Sequence, residues 1–182
     1  MTTRRSNFLS SRVFWAIAVV FCAIEGAILA LAYERNIDQI ELSDQVALVR
    51  ESTIVVWRLA AGSSVVSGSE FPDNPTVTDP QFVWLTAALQ GLRTGGEVQG
   101  LDGTVFHLFP IEAADTRHTL TDAIVRWSSF LRLHTHAPGS STAYEELRAL
   151  GPTLAGLGIH LAEKRDEASR AAMRLVILAL GT

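Results

Sequence analysis

The chain contains one long run of apolar residues, from Val13 to Tyr33. A helix rises about 1.5 Å per residue, so this run is long enough to cross a hydrocarbon core of about 30 Å. Trp15 and Tyr33 lie near its two ends, where amphipathic rings prefer the membrane interface. We therefore predict a single transmembrane helix over residues 13–33, through which the protein contacts the lipid bilayer.

The charges on either side of the run predict its orientation. Three arginines precede it, at positions 4, 5 and 12. Basic residues favour the cytoplasmic side of a membrane span. We expect a single-pass protein of the bacterial inner membrane with three parts: a cytoplasmic N-terminus at 1–12, the membrane helix at 13–33 and a periplasmic domain at 34–182.

A cleaved signal peptide is the alternative interpretation, with Ala30-Leu31-Ala32 as its cleavage box. The apolar region of a signal peptide usually has about 7–15 residues, whereas this run is longer and contains Glu25. The length therefore favours a membrane anchor over a signal peptide.

Glu25 is the one charged residue within the apolar run. A carboxylate in hydrocarbon is costly unless it is protonated or paired. Glu25 is either a protonated side chain that reaches toward water, or a contact with a neighbouring subunit's helix or a bound polar group. Under the second interpretation, Glu25 and Trp15 are predicted to contact a partner in the membrane.

The charge of the remaining sequence excludes some classes of partner. The chain has 15 basic and 19 acidic residues; three of the basic residues precede the apolar run and one of the acidic residues lies within it. The residues after the run therefore carry 12 basic and 18 acidic side chains, a net charge of −6. Such a domain lacks the basic face that nucleic acid requires and is unsuited to lying flat on anionic lipid.

The residues that follow the apolar run predict a continuation of its helix. Up to about Ala61 they contain no proline or glycine, and apolar side chains recur at three- or four-residue steps with two longer steps. We predict one buried stripe, made of Ile37, Ile40, Val46, Val49, Ile54, Trp57 and Ala61. Residues 62–80 are rich in glycine, serine and proline, which predicts a loop.

Asp79-Pro80 predicts the start of a second helix, with an N-cap followed by proline at the first position. Its buried face is predicted to contain Phe82, Leu85, Leu89 and Leu92, and Gly95-Gly96 to end it. Asp102-Gly103 then lies between β-favouring residues, a pattern typical of a tight hairpin.

Two further helices are predicted in the second half of the chain. Thr119 with Asp122 resembles a capping box, and the buried face would contain Ile124, Trp127, Leu131 and His134. A turn at 138–141 leads to a fourth helix that starts near Thr142 and that Pro152 kinks or restarts. The apolar tail, 175–182, either completes this helix or begins a second membrane helix.

The predicted fold class is therefore mainly α: a transmembrane helix that continues into a periplasmic antiparallel four-helix bundle with a small β-hairpin arm. Trp57, Trp84 and Trp127 fall one per predicted helix. We expect them to share the core, with Trp57 and Trp127 buried; an aromatic ligand pocket is the alternative.

The sequence contains no catalytic or cofactor-binding motif that we recognise. It has one cysteine, Cys22, so it can form neither an intramolecular disulfide nor a cysteine metal site. His134 and His136 would point to different faces of a helix, which does not suit one metal. We expect a non-enzymatic protein without a metal or cofactor.

The order of these features resembles a known family. A membrane helix runs into the first bundle helix, then come Phe82-Val83-Trp84-Leu85, Gly95-Gly96, the Leu101-Asp102-Gly103 turn and a helix with Trp127 at its centre. This order is similar to the extracytoplasmic sensor bundle of type IV pilus methyl-accepting chemotaxis proteins and nitrate/nitrite sensor kinases. The resemblance covers about residues 34–180.

Two departures from that family pattern bear on function. When Arg58-Leu59 is matched to the family's Arg-Leu, Thr53 takes the place of the ligand arginine. The sequence to Thr182 also contains no signalling output module. The first function expected is an accessory or structural subunit that binds other membrane-protein subunits. The second is the ligand-sensing domain of a transmembrane receptor, with a ligand pocket at Arg50, Trp57 and Arg58. A homodimer is expected only under this second function.

Overall fold

A computed structural model describes residues 4–65 and 79–180. In this part the chain is mainly helical, with four helices and one two-stranded antiparallel sheet, as the sequence predicts. The elements in chain order are α1 (Arg4–Val65), α2 (Pro80–Thr94), β1 (Gly96–Gln99), β2 (Val105–Leu108), α3 (Ala114–His136) and α4 (Ser141–Leu180). Most of the predicted loop at 62–80 lies outside the described residues, but α1 extends to Val65.

The chain divides into two compact units. Residues 40–165 form one unit, and the described residues of 1–39 and 166–182 form the other. Among the described residues, α1 is the only helix that is long and apolar enough to cross a membrane, within the range Val13–Ala61. The side chains in its most apolar stretch are not buried within the protein. Length and composition thus agree with the predicted membrane helix.

The unit of residues 40–165 has one hydrophobic core. All four helices contribute to this core, together with Val98, Phe106 and Leu108 of the two strands. The inner face of α1 is defined by seven buried residues at helical spacing: Gln45, Leu48, Val49, Ser52, Val55, Val56 and Ala60. The predicted stripe was therefore largely wrong, because Ile37, Ile40, Ile54 and Trp57 are exposed and only Val49 of that set is fully buried.

The prediction for α2 is confirmed. The Asp79 carboxylate accepts a hydrogen bond from the Gln81 N–H at 2.9 Å, and Pro80 occupies the first helical position. The predicted apolar face is buried, namely Phe82, Leu85, Leu89 and Leu92. Gly95 follows the helix with φ of 77°, a left-handed conformation that favours glycine.

The predicted hairpin is also confirmed. β1 and β2 pair antiparallel, with Val98 opposite Phe106. The Gly103 N–H donates to the Gly100 carbonyl, Gly103 has φ of 90°, and the Gly100 N–H donates to the Thr104 carbonyl. This combination is a three-residue hairpin loop with a bulge at its glycine.

The start of α3 differs from the prediction. The helix begins at Ala114, five residues before Thr119, and its N-cap residue Ala113 makes no side-chain capping bond. The Thr119 hydroxyl instead donates to the Asp115 carbonyl within the helix. Trp127 and His134 are buried as predicted, and Phe82 and Phe130 pack against them.

The connection from α3 to α4 is a short turn, in which Gly139 has φ of 82°. Because this connection is short, the two helices are neighbours. α4 begins at Ser141 and continues through Pro152 without restarting, as one helix to Leu180. The described part of the predicted apolar tail thus belongs to α4.

Candidate partner-binding surfaces

The first candidate surface is the exposed side of α1 opposite its inner face. We call it the outer stripe; it contains seven exposed residues, Ile40, Ser43, Ala47, Arg50, Ile54, Trp57 and Ala61. Their spacing alternates between three and four residues, so they lie in a row along one side of the helix. Ile40 is 59% exposed, and Ile54 and Trp57 are each 50% exposed. The row places three large apolar side chains on the surface of the same helix.

Trp57 is held in place by contact with α4. A Cβ added to Gly151 would lie 3.0 Å from Cε2 and 3.1 Å from Cζ2 of the Trp57 ring. Gly151 itself is buried, so the indole lies against the α4 backbone, while Trp57 as a whole is 50% exposed. The prediction that Trp57 is buried in the core is therefore wrong, because the ring packs on the outside of α4.

Arg50 and Arg58, which the sequence placed with Trp57 in a ligand pocket, are both exposed. Arg50 belongs to the outer stripe, and Arg58 is the next residue after Trp57. The three side chains thus share an exposed region of α1. An exposed tryptophan beside arginines is typical of protein contact sites.

Glu25 and Trp15 lie in the other unit, on the apolar part of α1. Both side chains are exposed, and Trp15 makes an edge contact with Phe14 at 6.4 Å between ring centroids. They stand ten residues apart, so the helix places them about 15 Å apart along its axis. Their predicted contact with a membrane partner stays a prediction.

The hairpin is attached to α1 by three side chains that bind its main chain. The Asp44 carboxylate accepts from the His107 N–H at 3.0 Å, and the Glu51 carboxylate accepts from the Leu101 N–H at 2.8 Å. The Gln45 amide donates to the Phe109 carbonyl at 2.8 Å. These bonds occupy the outer edge of β2 and the loop, and they fix the hairpin beside the helix.

The second candidate surface lies on the other side of the hairpin, between α2 and β1. We call it the edge groove; it has a volume of about 660 Å³ and is open to solvent. Val83, Trp84, Ala87 and Gln90 line it from α2, and Glu97 and Gln99 line it from β1. The Trp84 indole N–H donates to the Gln99 carbonyl at 2.8 Å. Sequence reasoning missed this groove, because it exists only once the hairpin is docked on α2.

The histidines do not gather into a metal site. In the part of the chain that the structure describes, no three His, Cys, Asp or Glu side chains are placed to hold a metal ion. His134 stacks on Phe130 at 5.3 Å in the aromatic cluster, whereas His136 is exposed. His107 lies across the hairpin from Glu97, with 3.4 Å between its Nδ1 and the Glu97 Oε1.

Comparison with known proteins finds no relative: no protein-family model, no curated protein and no solved structure matches the chain.

Proposed function

We propose that this protein is a non-enzymatic membrane subunit that binds other membrane proteins through the outer stripe. α1 anchors it in the bilayer of the bacterial inner membrane, with the N-terminus in the cytoplasm and the unit of residues 40–165 in the periplasm. The outer stripe is the observation that carries this proposal.

The composition of the outer stripe supports a protein contact. Scattered apolar residues are normal on a protein surface, but a row of them on one helix marks a contact site. Ile40, Ile54 and Trp57 are large, and Trp57 is already positioned by Gly151, so binding would cost little side-chain entropy. The stripe's alternation of three- and four-residue steps is the spacing with which one helix packs along another.

The membrane helix supports the same role. Glu25 is an exposed carboxyl on α1, and hydrogen bonds between helices in a membrane are worth about 0.6 kcal/mol on average. Glu25→Leu is expected to weaken recovery of a partner, and Glu25→Gln, which keeps hydrogen-bonding atoms, to do so less. Equal recovery from all three forms would remove Glu25 from the proposed contact.

The proposal is tested by affinity purification of the full chain in mild detergent. Ile54→Asp places a charge in the outer stripe, and Val125→Asp places the same charge on α3, where Val125 is 56% exposed. We expect proteins recovered with the wild type and Val125→Asp to be lost with Ile54→Asp. Recovery of the same proteins with both variants would refute the outer stripe as the contact.

The orientation is tested by cysteine labelling. Ala137 is exposed in the turn after α3, and Cys22 is the one native cysteine. In a Cys22→Ser background, Ala137→Cys is expected to react with an impermeant thiol reagent in intact spheroplasts. Protection until lysis would reverse the proposed topology.

A sensor domain of a transmembrane receptor is the second candidate function. It is supported by the order of elements: Gly95-Gly96 follows the end of α2, the hairpin comes next, and α3 carries Trp127 near its centre. In that case the outer stripe would join two copies of the chain. Cross-linking of differently tagged copies through Ile54→Cys would favour this candidate over a contact with a different subunit.

A further inference from the structure

β1 has an outer edge with unused main-chain groups. In an antiparallel pair, the main-chain N–H and C=O groups of successive residues point alternately toward the partner strand and away from it. The Gly100 N–H donates to the Thr104 carbonyl, so Gly100 faces β2, and so does Val98 two residues earlier. The main-chain groups of Glu97 and Gln99 therefore face away from β2. The Trp84 bond to the Gln99 carbonyl confirms this direction. Among the described residues, the Glu97 N–H, the Glu97 carbonyl and the Gln99 N–H have no hydrogen-bond partner.

The main chain of an extended segment has the hydrogen-bond donors and acceptors that these edge groups lack. Two donors and one acceptor in a row along a strand edge match the acceptors and donors of another strand. β1 has four residues, so it offers about 13 Å of edge. The edge of β2 cannot serve in the same way, because Asp44 already accepts from its His107 N–H.

α2 supplies the second wall, against which alternate side chains of such a strand would pack. Val83 is 58% exposed and Ala87 is exposed, and both lie on the side of α2 that lines the edge groove. The Trp84 ring is partly buried, and its bond to Gln99 holds the two walls together. A helix beside a free strand edge is the arrangement by which some domains add a peptide to their sheet.

The charge of the edge groove favours a basic peptide. Glu97 is the one charged residue among those that line it. Its carboxylate lies 3.4 Å from His107, which neutralises it only when the imidazole is protonated. A lysine or arginine of a bound segment would pair with the Glu97 carboxylate.

We propose that the edge groove binds an extended, basic segment of a partner protein, which adds as a third strand to the edge of β1. The segment's main chain pairs with Glu97 and Gln99, and every second side chain packs on Val83 and Ala87. This inference deepens the proposed interaction role and rests on it, but different residues carry it. The outer stripe binds a helix, whereas the edge groove binds an extended segment.

The test uses the full chain in mild detergent and a fluorescein-labelled, amidated hexapeptide of alternating lysine and valine. We expect saturable binding by fluorescence anisotropy, and at least tenfold weaker binding of the same peptide with glutamate in place of lysine. Two isomers of this peptide carry main-chain N-methyl groups, one at every valine and the other at every lysine. In an extended chain the N–H groups of alternate residues point to opposite edges, so each isomer has lost its N–H donors on a different edge. We expect one isomer to bind like the parent peptide and the other not to bind.

Two variants with the same added charge locate the binding. Val83→Arg fills the edge groove and repels a basic peptide, and it is expected to weaken binding about tenfold or more. Val125→Arg, on α3, is expected to change it less than about twofold, because Val125 is similarly exposed but lies on another helix. Ile54→Asp, which tests the outer stripe, is expected to leave peptide binding unchanged.

Several results would overturn the inference. They are no binding of the lysine–valine peptide, equal binding of its two N-methylated isomers, or equal loss with Val83→Arg and Val125→Arg. Self-association of the chain that Val83→Arg abolishes, without peptide binding, would identify a second copy as the occupant instead. None of these results bears on co-purification through Ile54, so failure of this inference is distinguishable from failure of the proposed function.

Discussion

Trp127 and Trp57 both belong to helices of the unit 40–165, but their surroundings are opposite. Trp127 is 3% exposed, stacks on Phe130 at 5.2 Å and donates from its indole N–H to the Thr86 hydroxyl at 2.9 Å. Trp57 is 50% exposed and rests on Gly151. The first tryptophan completes a core, whereas half of the surface of the second is exposed to solvent.

The difference arises because α1 has more apolar residues than the core of this unit buries. Leu48, Val49, Val55 and Val56 already fill the inner face. Ile40, Ile54 and Trp57 lie on the opposite side, where they add nothing to the core of this unit. Apolar surface that folding does not bury is available for binding, and burial of a large side chain in a contact is worth about 1.5–3 kcal/mol.

Removal of each tryptophan should give the largest contrast. Trp127→Ala is expected to lower the free energy of unfolding by about 3–5 kcal/mol, because it empties a packed aromatic site. Trp57→Ala is expected to lower it by about 1 kcal/mol, because half of that side chain is exposed. Urea unfolding followed by far-UV circular dichroism measures both. Equal losses would mean that the two tryptophans are not in different environments.

Two glycines of α4 sharpen the same comparison. A Cβ at Gly156 would meet nothing within 4 Å, so Gly156→Ala is expected to stabilise the protein by about 0.5–1 kcal/mol through helix propensity. Gly151→Ala should give less, because its Cβ would lie 3.0 Å from the Trp57 ring and displace it. Thermal unfolding of the two variants measures the difference. An equal gain at both positions would show that Trp57 is not held on α4.

The smallest effect on the stability of the folded protein is expected in the hairpin loop, which is exposed like the outer stripe. The Thr104 N–H donates to the Asp102 carboxylate at 2.9 Å, and this bond lowers the pKa of Asp102 from its ordinary value of 3.8. Because the pKa of Asp102 is lower in the folded protein than in the unfolded chain, the ionised carboxylate stabilises the folded hairpin at pH values above the pKa of the unfolded chain. This contribution to stability is lost as the pH falls through the pKa of the folded protein. The Thr104 amide resonance should titrate below pH 3.8 by NMR. A midpoint at or above 3.8 would contradict this bond in solution.

The sequence predicted the elements whose signals are local. Asp79-Pro80 begins α2 because cap and proline act within one turn, and the buried face of α2 follows from one unambiguous stripe. The hairpin follows from Asp102-Gly103, since the loop needs φ above zero at Gly103.

The sequence could not predict features that depend on tertiary contacts. α1 carries apolar residues on two opposite sides, so periodicity alone does not say which side is buried. α3 starts at Ala114 with an N-cap, Ala113, that makes no side-chain capping bond, so no capping residue marks that start. The edge groove forms because Val98 packs over Gly91, two residues that the sequence does not link.

The central claim, that the outer stripe contacts another membrane protein, is tested most directly by photo-cross-linking in cells. A benzoylphenylalanine is placed in turn at Ala47 and Ile54 of the outer stripe, and at Val125 and Arg132 on the exposed surface of α3. We predict discrete cross-linked products from the two outer-stripe positions and background yields from the two α3 positions. Equal yields at all four positions would contradict the claim.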